Sequence, residues 1–403
     1  MSLGQKRKVL IVGGFTFARG EAGSNYVIGL GKAIENAGFC VQYLADDESQ
    51  AGVREDFKGF MCHSAPRPAG LRGWRAAIAN ICALESGLLN WLTRVPANEF
   101  QTIIAHLGGL PVAFLVRLHR LCGAKGWTLA IVVGEWQGFG QSGELKLHHR
   151  IWALVDSEIQ RRIVNKRVKH IVAISRFLER YYTNSGCDAV LVPPLIDCRA
   201  KKWHCRPAPE GGKRGVKLLF SGNWWRDRLD LIAEALVRLR AEGHEVVLEF
   251  LGSGPNDFER KPKLRDQILN APEGTFRFHG QVPVEKVLPI AATADFGILL
   301  RDRVKWSDAC FPSKVAEFQA LGVPLLCNLT SNLEEVLRDG ENALVVPEVS
   351  VLAFMNTVKR ALALSVLELQ HMKQRSMECA ATRFDYRVYS DSVGQFIRQS
   401  SNI

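Results

Sequence analysis

No apolar run in the 403-residue sequence approaches the roughly 18 residues that a membrane-spanning helix needs. The apolar VLIV near the start, behind the basic residues of MSLGQKRK, is too short for a secretory leader and reads as a first buried strand. Repeats of solenoid length and low-complexity tracts are absent as well. The ten cysteines include no Cys-x-x-Cys pair and no His/Cys set at zinc spacing, which argues against a disulfide scaffold and a structural metal. They sit mostly in apolar segments and read as reduced core residues of a cytosolic protein. No Asp-x-Asp pair stands in a suitable loop for a metal, and neither an RNP stretch nor a helix-turn-helix is visible.

Net negative charge is lacking too. The balance is +11, and it is uneven: residues 1–200 hold 24 Lys/Arg against 16 Asp/Glu, leaving 28 against 25 for the remainder. The first half is therefore the basic half. Such an excess favours anionic partners: phosphorylated substrates, an acidic membrane surface or nucleic acid.

What is present is alternation. Strand-like runs at 9–14, 40–45, 102–107, 128–134, 170–175 and 189–194 are separated by helix-like segments at 23–38, 72–94, 111–123, 148–167 and 176–186. Ser24 is the expected N-cap of the first helix and Gly38 its stop. A Pro-, Gly- and Lys/Arg-rich stretch at 195–215 reads as a linker. Strands at 216–222, 245–254, 276–282, 295–300 and 343–347 then alternate with helices at 229–243, 283–294, 332–340 and 350–381. This is the pattern of two open α/β units in series. The expected division is 1–198, 199–385, and a tail helix 386–403 that folds back onto the first unit. Ligands of such sheets lie beyond the strand carboxyl ends, so a cleft between the units is the expected site.

Four segments in order, LLFSGNWWRDRLDLIAEAL, LEFLGSGP, FRFHGQVPVEKVLPIAATADFGILL and FPSKVAEFQALGVPLLCNLTSNLEEVLRDGENALVVP, resemble the retaining nucleotide-sugar glycosyltransferases of family 4. Each alone is a weak signal; together they cover 216–350 strongly, and the resemblance extends over nearly the whole chain. It implies the GT-B fold, two Rossmann-like domains facing each other across a cleft. It further implies sugar transfer from a nucleotide-diphosphate sugar to an acceptor hydroxyl with retention of configuration, without a metal or a resident cofactor. The acceptor would be a saccharide or a lipid-linked group, in polysaccharide, glycolipid or glycoconjugate synthesis, in the cytoplasm or at the inner face of its membrane.

The resemblance carries roles onto individual residues. Glu317 would bind the ribose hydroxyls, since a carboxylate accepts two hydrogen bonds from vicinal hydroxyls. The N–H groups of Ser313, Lys314 and Val315 would meet the diphosphate from the first helical turn. Gly222 opens the phosphate clamp; the arginine of the family falls on Asn223 and its lysine on Arg226 or Arg228, with Arg226 preferred. Gln281, Val282 and Gly252 would line the nucleotide. The second family glutamate is replaced by Ala309, with Asp308 beside it as a substitute. In the first unit, Gly14, Gly20 and Gly23 would form the acceptor-side loop, His106 the cleft histidine, and Glu135 with Trp136 a further wall. The bland reading of each stays open here: a capping acid, surface arginines, a structural histidine, a core tryptophan.

Two surfaces suggest membrane contact. One is the apolar stripe Leu71, Trp74, Ile78, Ile81, Leu88 and Leu92 with Arg67, Arg72 and Arg75; the other is the basic run at 161–170. Both also read as ordinary helix faces, one buried and one solvated. A nucleotide-sugar epimerase of the same fold would need a cleft rich in carboxylates, and few are present. A basic nucleic-acid- or membrane-binding protein is the non-enzyme alternative.

Overall fold

KVLIVG forms β1 (Lys8–Gly13). Val9 and Ile11 enter one apolar core and Leu10 and Val12 another. A strand covered on both faces must be apolar at its buried positions, and Val9–Val12 are. The structure, a computed structural model, describes residues 7–15, 22–46, 53–57, 60–65, 73–107, 110–136, 147–205, 215–222, 224–259 and 261–400.

The chain divides into two units. One comprises Met1–Ile196, Ala309–Phe311 and Tyr386–Ile403; the other comprises Asp197–Asp308 and Pro312–Asp385. The first unit continues with β2 (Cys40–Asp46), β3 (Val53–Phe57), β4 (Phe60–Ala65), β5 (Thr102–His106), β6 (Thr128–Val133), β7 (His170–Ala173) and β8 (Asp188–Leu191). These form one sheet in the order β3-β4-β2-β1-β5-β6-β7-β8, parallel except for the antiparallel β3–β4 pair. That hairpin was not expected from the sequence.

The second unit holds β9 (Val216–Ser221), β10 (Val246–Leu251), β11 (Phe276–Phe278), β12 (Phe296–Leu299), β13 (Leu325–Cys327) and β14 (Ala343–Val345). The order is β11-β10-β9-β12-β13-β14, all parallel. Numbered within the unit this is the 3-2-1-4-5-6 order of a Rossmann sheet. The first unit repeats it, with β3 added outside β4 and β8 outside β7. The two Rossmann-like α/β domains expected from the alternation are present.

Several boundaries differ from the sequence reading. The first helix is Ala22–Asn36, so Ser24 lies inside it and does not cap it. The stretch expected as a helix at 332–340 is only a 3-10 turn, Leu333–Glu335, followed by a turn, irregular backbone and an isolated bridge at Asp339. The long helix expected at 350–381 is two, Val351–Ala363 and Val366–Arg383. The break falls at Ser365, whose hydroxyl accepts from the Glu368 N–H while the Glu368 carboxylate accepts from the Ser365 N–H at 2.8 Å. That Ser-x-x-Glu capping box is a start signal written in the sequence. The tail helix Tyr386–Ser400 places Val393, Phe396 and Ile397 in the core that holds Val27, Leu30 and Ile34. In Gly73–Arg94, Leu88 and Leu92 are fully buried and Ile81 is exposed; Trp74 and Ile78 have side chains outside the described residues, as does Leu71 altogether.

The second core is aromatic at its centre. Phe250 stacks on Phe278 at 4.6 Å and meets Phe220 and Phe258 edge-on at 5.8 and 5.6 Å. Ring pairs of this geometry add to area burial, and truncation leaves a cavity that neighbours fill only in part. Phe250→Ala is expected to destabilise the second unit by about 3–5 kcal/mol. Urea titration followed by far-UV circular dichroism checks this; a midpoint equal to the wild type would mean that the cluster repacks around the gap.

Candidate functional site

In a parallel sheet of this order, adjacent crossovers run to opposite faces at the central pair of strands, and a crevice opens at their carboxyl ends. In the second unit the central pair is β9 and β12. β9 ends in Ser221 and Gly222. Gly222 has φ +118°, and a Cβ there would lie 1.5 Å from the Lys314 Nζ. The backbone needs glycine for its conformation, and the lysine needs the vacant volume.

Lys314 belongs to the helix Ser313–Ala320, between β12 and β13. Its ammonium lies 5.5 Å from the centre of the Phe220 ring, on β9. Burial lowers its pKa to about 8; the charges of Arg301 and Arg226 push the same way, while Asp227 and Glu317 oppose. Glu317 stands one turn after Lys314 on the same face of this helix. It is the fifth residue of the helix. Burial raises its pKa, and Lys314 and Lys202 hold the rise back.

Two residues that the sequence reading missed complete the cluster. Arg301 follows β12 and is 7% exposed. Its Nε donates to the Asp227 Oδ1 at 3.1 Å, and Asp227 is also buried. Asn328, after β13, clamps the Arg301 backbone from both sides, accepting its N–H at 2.9 Å and donating to its C=O at 2.8 Å. The Arg301 Nη1 is buried without a hydrogen-bond partner. A signal existed: an arginine directly after the buried run DFGILL sits at a strand carboxyl end, and Asp227 lies between two arginines already singled out.

The other expected residues fall as follows. Arg226 stacks on the Trp225 ring at 4.9 Å and contributes to the field at Lys314. Arg228 is held elsewhere, donating to Asp230 and to Asp302 at 2.9 Å; the Asp230 bond comes first among the causes that raise its pKa. Its guanidinium is thus engaged in a local ion-pair network, which favours Arg226 of the two. Gly222, Gly252, Gln281 and Val282 line one cavity of about 400 Å³ together with Ser221, Ser253 and Val287. The Gln281 amide donates to the Gly252 carbonyl at 2.8 Å. Asp257, the acid lining it, accepts from the Gly254 N–H at 2.7 Å.

Two expectations are corrected. The Val315 N–H donates to the Pro312 carbonyl at 3.1 Å, so it is not available to a ligand, which leaves those of Ser313 and Lys314. The Asp308 carboxylate accepts from the Ser331 N–H at 3.3 Å and pairs with Arg303 at 3.8 Å. It serves the local backbone rather than standing free in place of the family's second glutamate. Asn223 and Gly20 lie outside the described residues.

In the first unit the central pair is β1 and β5. A Cβ at Gly13 would lie 1.8 Å from the His106 carbonyl oxygen, and one at Gly23 would lie 3.4 Å from the His106 Cε1. Gly14 follows β1, half-buried. The His106 ring meets Phe15 edge-on at 6.1 Å and Tyr26 at 6.3 Å. Burial lowers its pKa to about 4, against smaller opposing effects of its own backbone and of Glu135, so the ring is neutral at pH 7. Glu135 itself is exposed. Trp136 is packed between Phe177 and Tyr181, with the Arg161 guanidinium 3.7 Å from its ring centre; the core reading holds for it. Among the described residues no group of three or more His, Cys, Asp or Glu is placed to hold a metal ion.

Lys314 gives a test that needs no ligand. Its folded-state value of about 8 lies below the 10.5 of a free lysine. Between the two the unfolded chain binds more protons, so stability must rise with pH across that window. Urea titrations over the window should show the rise in the wild type and lack it in Lys314→Met. Equal slopes in both would mean that the lysine keeps its ordinary pKa.

Residues 215–363 match the model of the family Glycosyl transferases group 1. No curated protein sequence matches the chain. Among solved structures, sucrose-phosphate synthase from Thermosynechococcus elongatus is similar at TM-score 0.68 and 13% identity, over 98% of this chain and 99% of that one. HepE of Anabaena in complex with UDP and glucose gives 0.64 and 14%, over 98% and 100%. The catalytic domain of starch synthase IV from Arabidopsis thaliana, bound to ADP and acarbose, gives 0.68 and 12%, over 99% and 100%. At these identities the likeness speaks to the fold alone. The chain has the GT-B fold, two Rossmann-like domains, and its second unit carries the match to Glycosyl transferases group 1.

Proposed function

We propose that the protein is a glycosyltransferase that moves a sugar from a nucleoside-diphosphate sugar to an acceptor hydroxyl, with retention of anomeric configuration. The observation that carries this reading is the cluster at the β9/β12 crevice. Lys314, Arg301 and Arg226 supply positive charge there, Gly222 lets the backbone come close, and a carboxylate one helical turn away suits a ribose. The family match over 215–363 supports the class of reaction, and the neighbours solved with UDP or ADP support the class of donor.

In this reading the cavity beside Gly252, Gln281 and Val282 takes the nucleoside, and Glu317 accepts hydrogen bonds from the ribose hydroxyls. The diphosphate lies against the Ser313 and Lys314 N–H groups and the Lys314 ammonium. As the bond from the anomeric carbon to the phosphate oxygen breaks, negative charge grows on the leaving diphosphate. Fixed cations in a half-buried crevice stabilise that charge most. The acceptor hydroxyl attacks from the face that the diphosphate leaves, and a phosphate oxygen takes its proton. No protein nucleophile is required. His106, neutral at pH 7, and the Gly14, Gly20 and Gly23 loop are assigned to the acceptor side. The place of action is the cytoplasm, and the acceptor is a saccharide or a lipid-linked group.

Thermal shifts against UDP, GDP, ADP and TDP test the donor site, because a ligand that binds the native state raises Tm by mass action. One base series should raise the wild-type Tm. Glu317→Ala should lose most of that shift, Lys314→Met should lose it, and Arg228→Ala should retain it. A flat panel with folded protein overturns the reading, as does an unchanged shift in Glu317→Ala.

A further inference from the structure

The segment Leu147–Val168 of the first unit is helical throughout: Leu147–Ile159, a π turn at Gln160–Val164, and Asn165–Val168. Among the described residues twelve large apolar side chains are exposed, and five of them lie here: Ile151, Trp152, Val155, Ile159 and Ile163. Trp152 is 73% exposed. Four of the five are spaced by four residues, so they share a face of the helix. Steps of four drift steadily around an α-helix. The wider π turn between Ile159 and Ile163 counters the drift and keeps Ile163 in the stripe.

From residue 151 to 169 the remaining exposed residues are all basic: Arg162, Arg167 and Lys169. The two acids of the segment are turned to other work. Asp156 accepts the Val112 N–H at 3.1 Å, and Glu158 pairs with Arg161 and with Arg162 at 2.7 Å. The opposite face is anchored: Arg161, Val164, Asn165 and Val168 are buried, and Asn165 donates to the Tyr182 hydroxyl at 2.7 Å. The stripe is thus held outward by a fixed inner face.

We propose that this helical face docks the protein on an anionic phospholipid bilayer. Isolated exposed apolar residues are ordinary, but a contiguous row with a tryptophan needs a low-polarity neighbour. A helix that is apolar on its outer face and flanked by Arg and Lys is built to lie in the headgroup region. Its Ile and Val side chains reach the acyl boundary, its Trp sits at the interface, and its cations meet lipid phosphates. The charge matches: the half of the chain that carries this helix holds most of the net +11. Among the described residues no helix is long and apolar enough to cross a membrane, so the contact is peripheral. It does not depend on the donor chemistry proposed above. Arg162, Arg167 and Lys169 of the basic run at 161–170 are the exposed cations here, whereas in the stripe at 71–92 Leu88 and Leu92 are buried and Ile81 is exposed.

Co-flotation of the full chain with vesicles tests it. The wild type should float with vesicles of equal parts phosphatidylcholine and phosphatidylglycerol, and far less with phosphatidylcholine alone. Salt should weaken the binding. The double variant Trp152→Ser/Ile159→Ser should lose about tenfold or more in affinity, as expected for removing two inserted apolar side chains. Arg167→Glu/Lys169→Glu should lose the preference for the anionic lipid. All four positions are exposed, so circular dichroism and Tm should match the wild type. The inference is overturned if the wild type does not float with anionic vesicles, or if the apolar variant binds them equally well. It is also overturned if the wild type ignores vesicles but forms a dimer in light scattering that Trp152→Ser/Ile159→Ser abolishes, since a second copy would then cover this face.

Discussion

The second unit turns on a missing side chain. At Gly222 the chain leaves β9 with a positive φ, and the space where a Cβ would stand holds the Lys314 ammonium. That contact fixes how close the helix Ser313–Ala320 comes to the end of β9. Glu317 follows one turn later on the same face, so its position is set by the same approach. The helix itself is short, and its four apolar residues, Val315, Ala316, Phe318 and Ala320, are buried. Packing anchors it, and the glycine lets the anchored helix present a cation and a carboxylate at a strand end.

The same strand order occurs in both units, yet the two central crevices differ in chemistry. In the first, Gly13 at the end of β1 presses on the carbonyl of His106, whose ring sits among Phe15 and Tyr26. In the second, Arg301 beyond β12, Asp227 in the turn before the next helix and Lys314 on the helix Ser313–Ala320 supply the charge. Burial acts on both in the same way, disfavouring the charged form of a base. It leaves the histidine neutral at pH 7 and brings the lysine near its titration range. A neutral imidazole and a cationic cluster suit different partners: a hydroxyl for the one and a diphosphate for the other in the proposed reaction.

The two-unit α/β architecture was legible because strands covered on both faces read as unbroken apolar runs. Glu317 stands out in the sequence as a buried-looking acid, whereas Gly222 is picked out through the family resemblance. The partners of those residues were not legible. Which of Arg226 and Arg228 would serve a phosphate depends on a turn after β9, and the pairing of Arg228 with Asp230 and Asp302 favours Arg226. Asp302 is far away in sequence. Arg301 looked like a residue just past a strand, and only the fold brings Asp227 and Asn328 to it. In the β3–β4 hairpin, β3 (VREDF) is mostly charged and β4 (FMCHSA) shows no clear alternation, so neither carries a strand pattern. The outward row on Leu147–Val168 was masked by its basic run, which reads as a solvated face until the burial of Arg161, Val164 and Asn165 shows which side points in.

The Arg301–Asp227 pair explains how the crevice tolerates so much positive charge. Taking a guanidinium out of water is costly unless it is paired, and Asp227 pairs it through the Nε alone. The Nη1 stays buried without a partner, while Asn328 keeps the backbone from shifting to satisfy it. Asp227 also offsets part of the cationic field at Lys314, which would otherwise lose its proton more readily still. The cluster is therefore charged, fixed and only partly satisfied. An anion that enters meets donors already aimed and desolvated, and little structure has to reorganise around it. In the proposed reaction that arrangement acts most strongly late, when the bond to the sugar has stretched and the diphosphate carries its full charge. A lysine whose proton is weakly held responds in the same direction, because each increment of negative charge beside it favours the ammonium over the free amine.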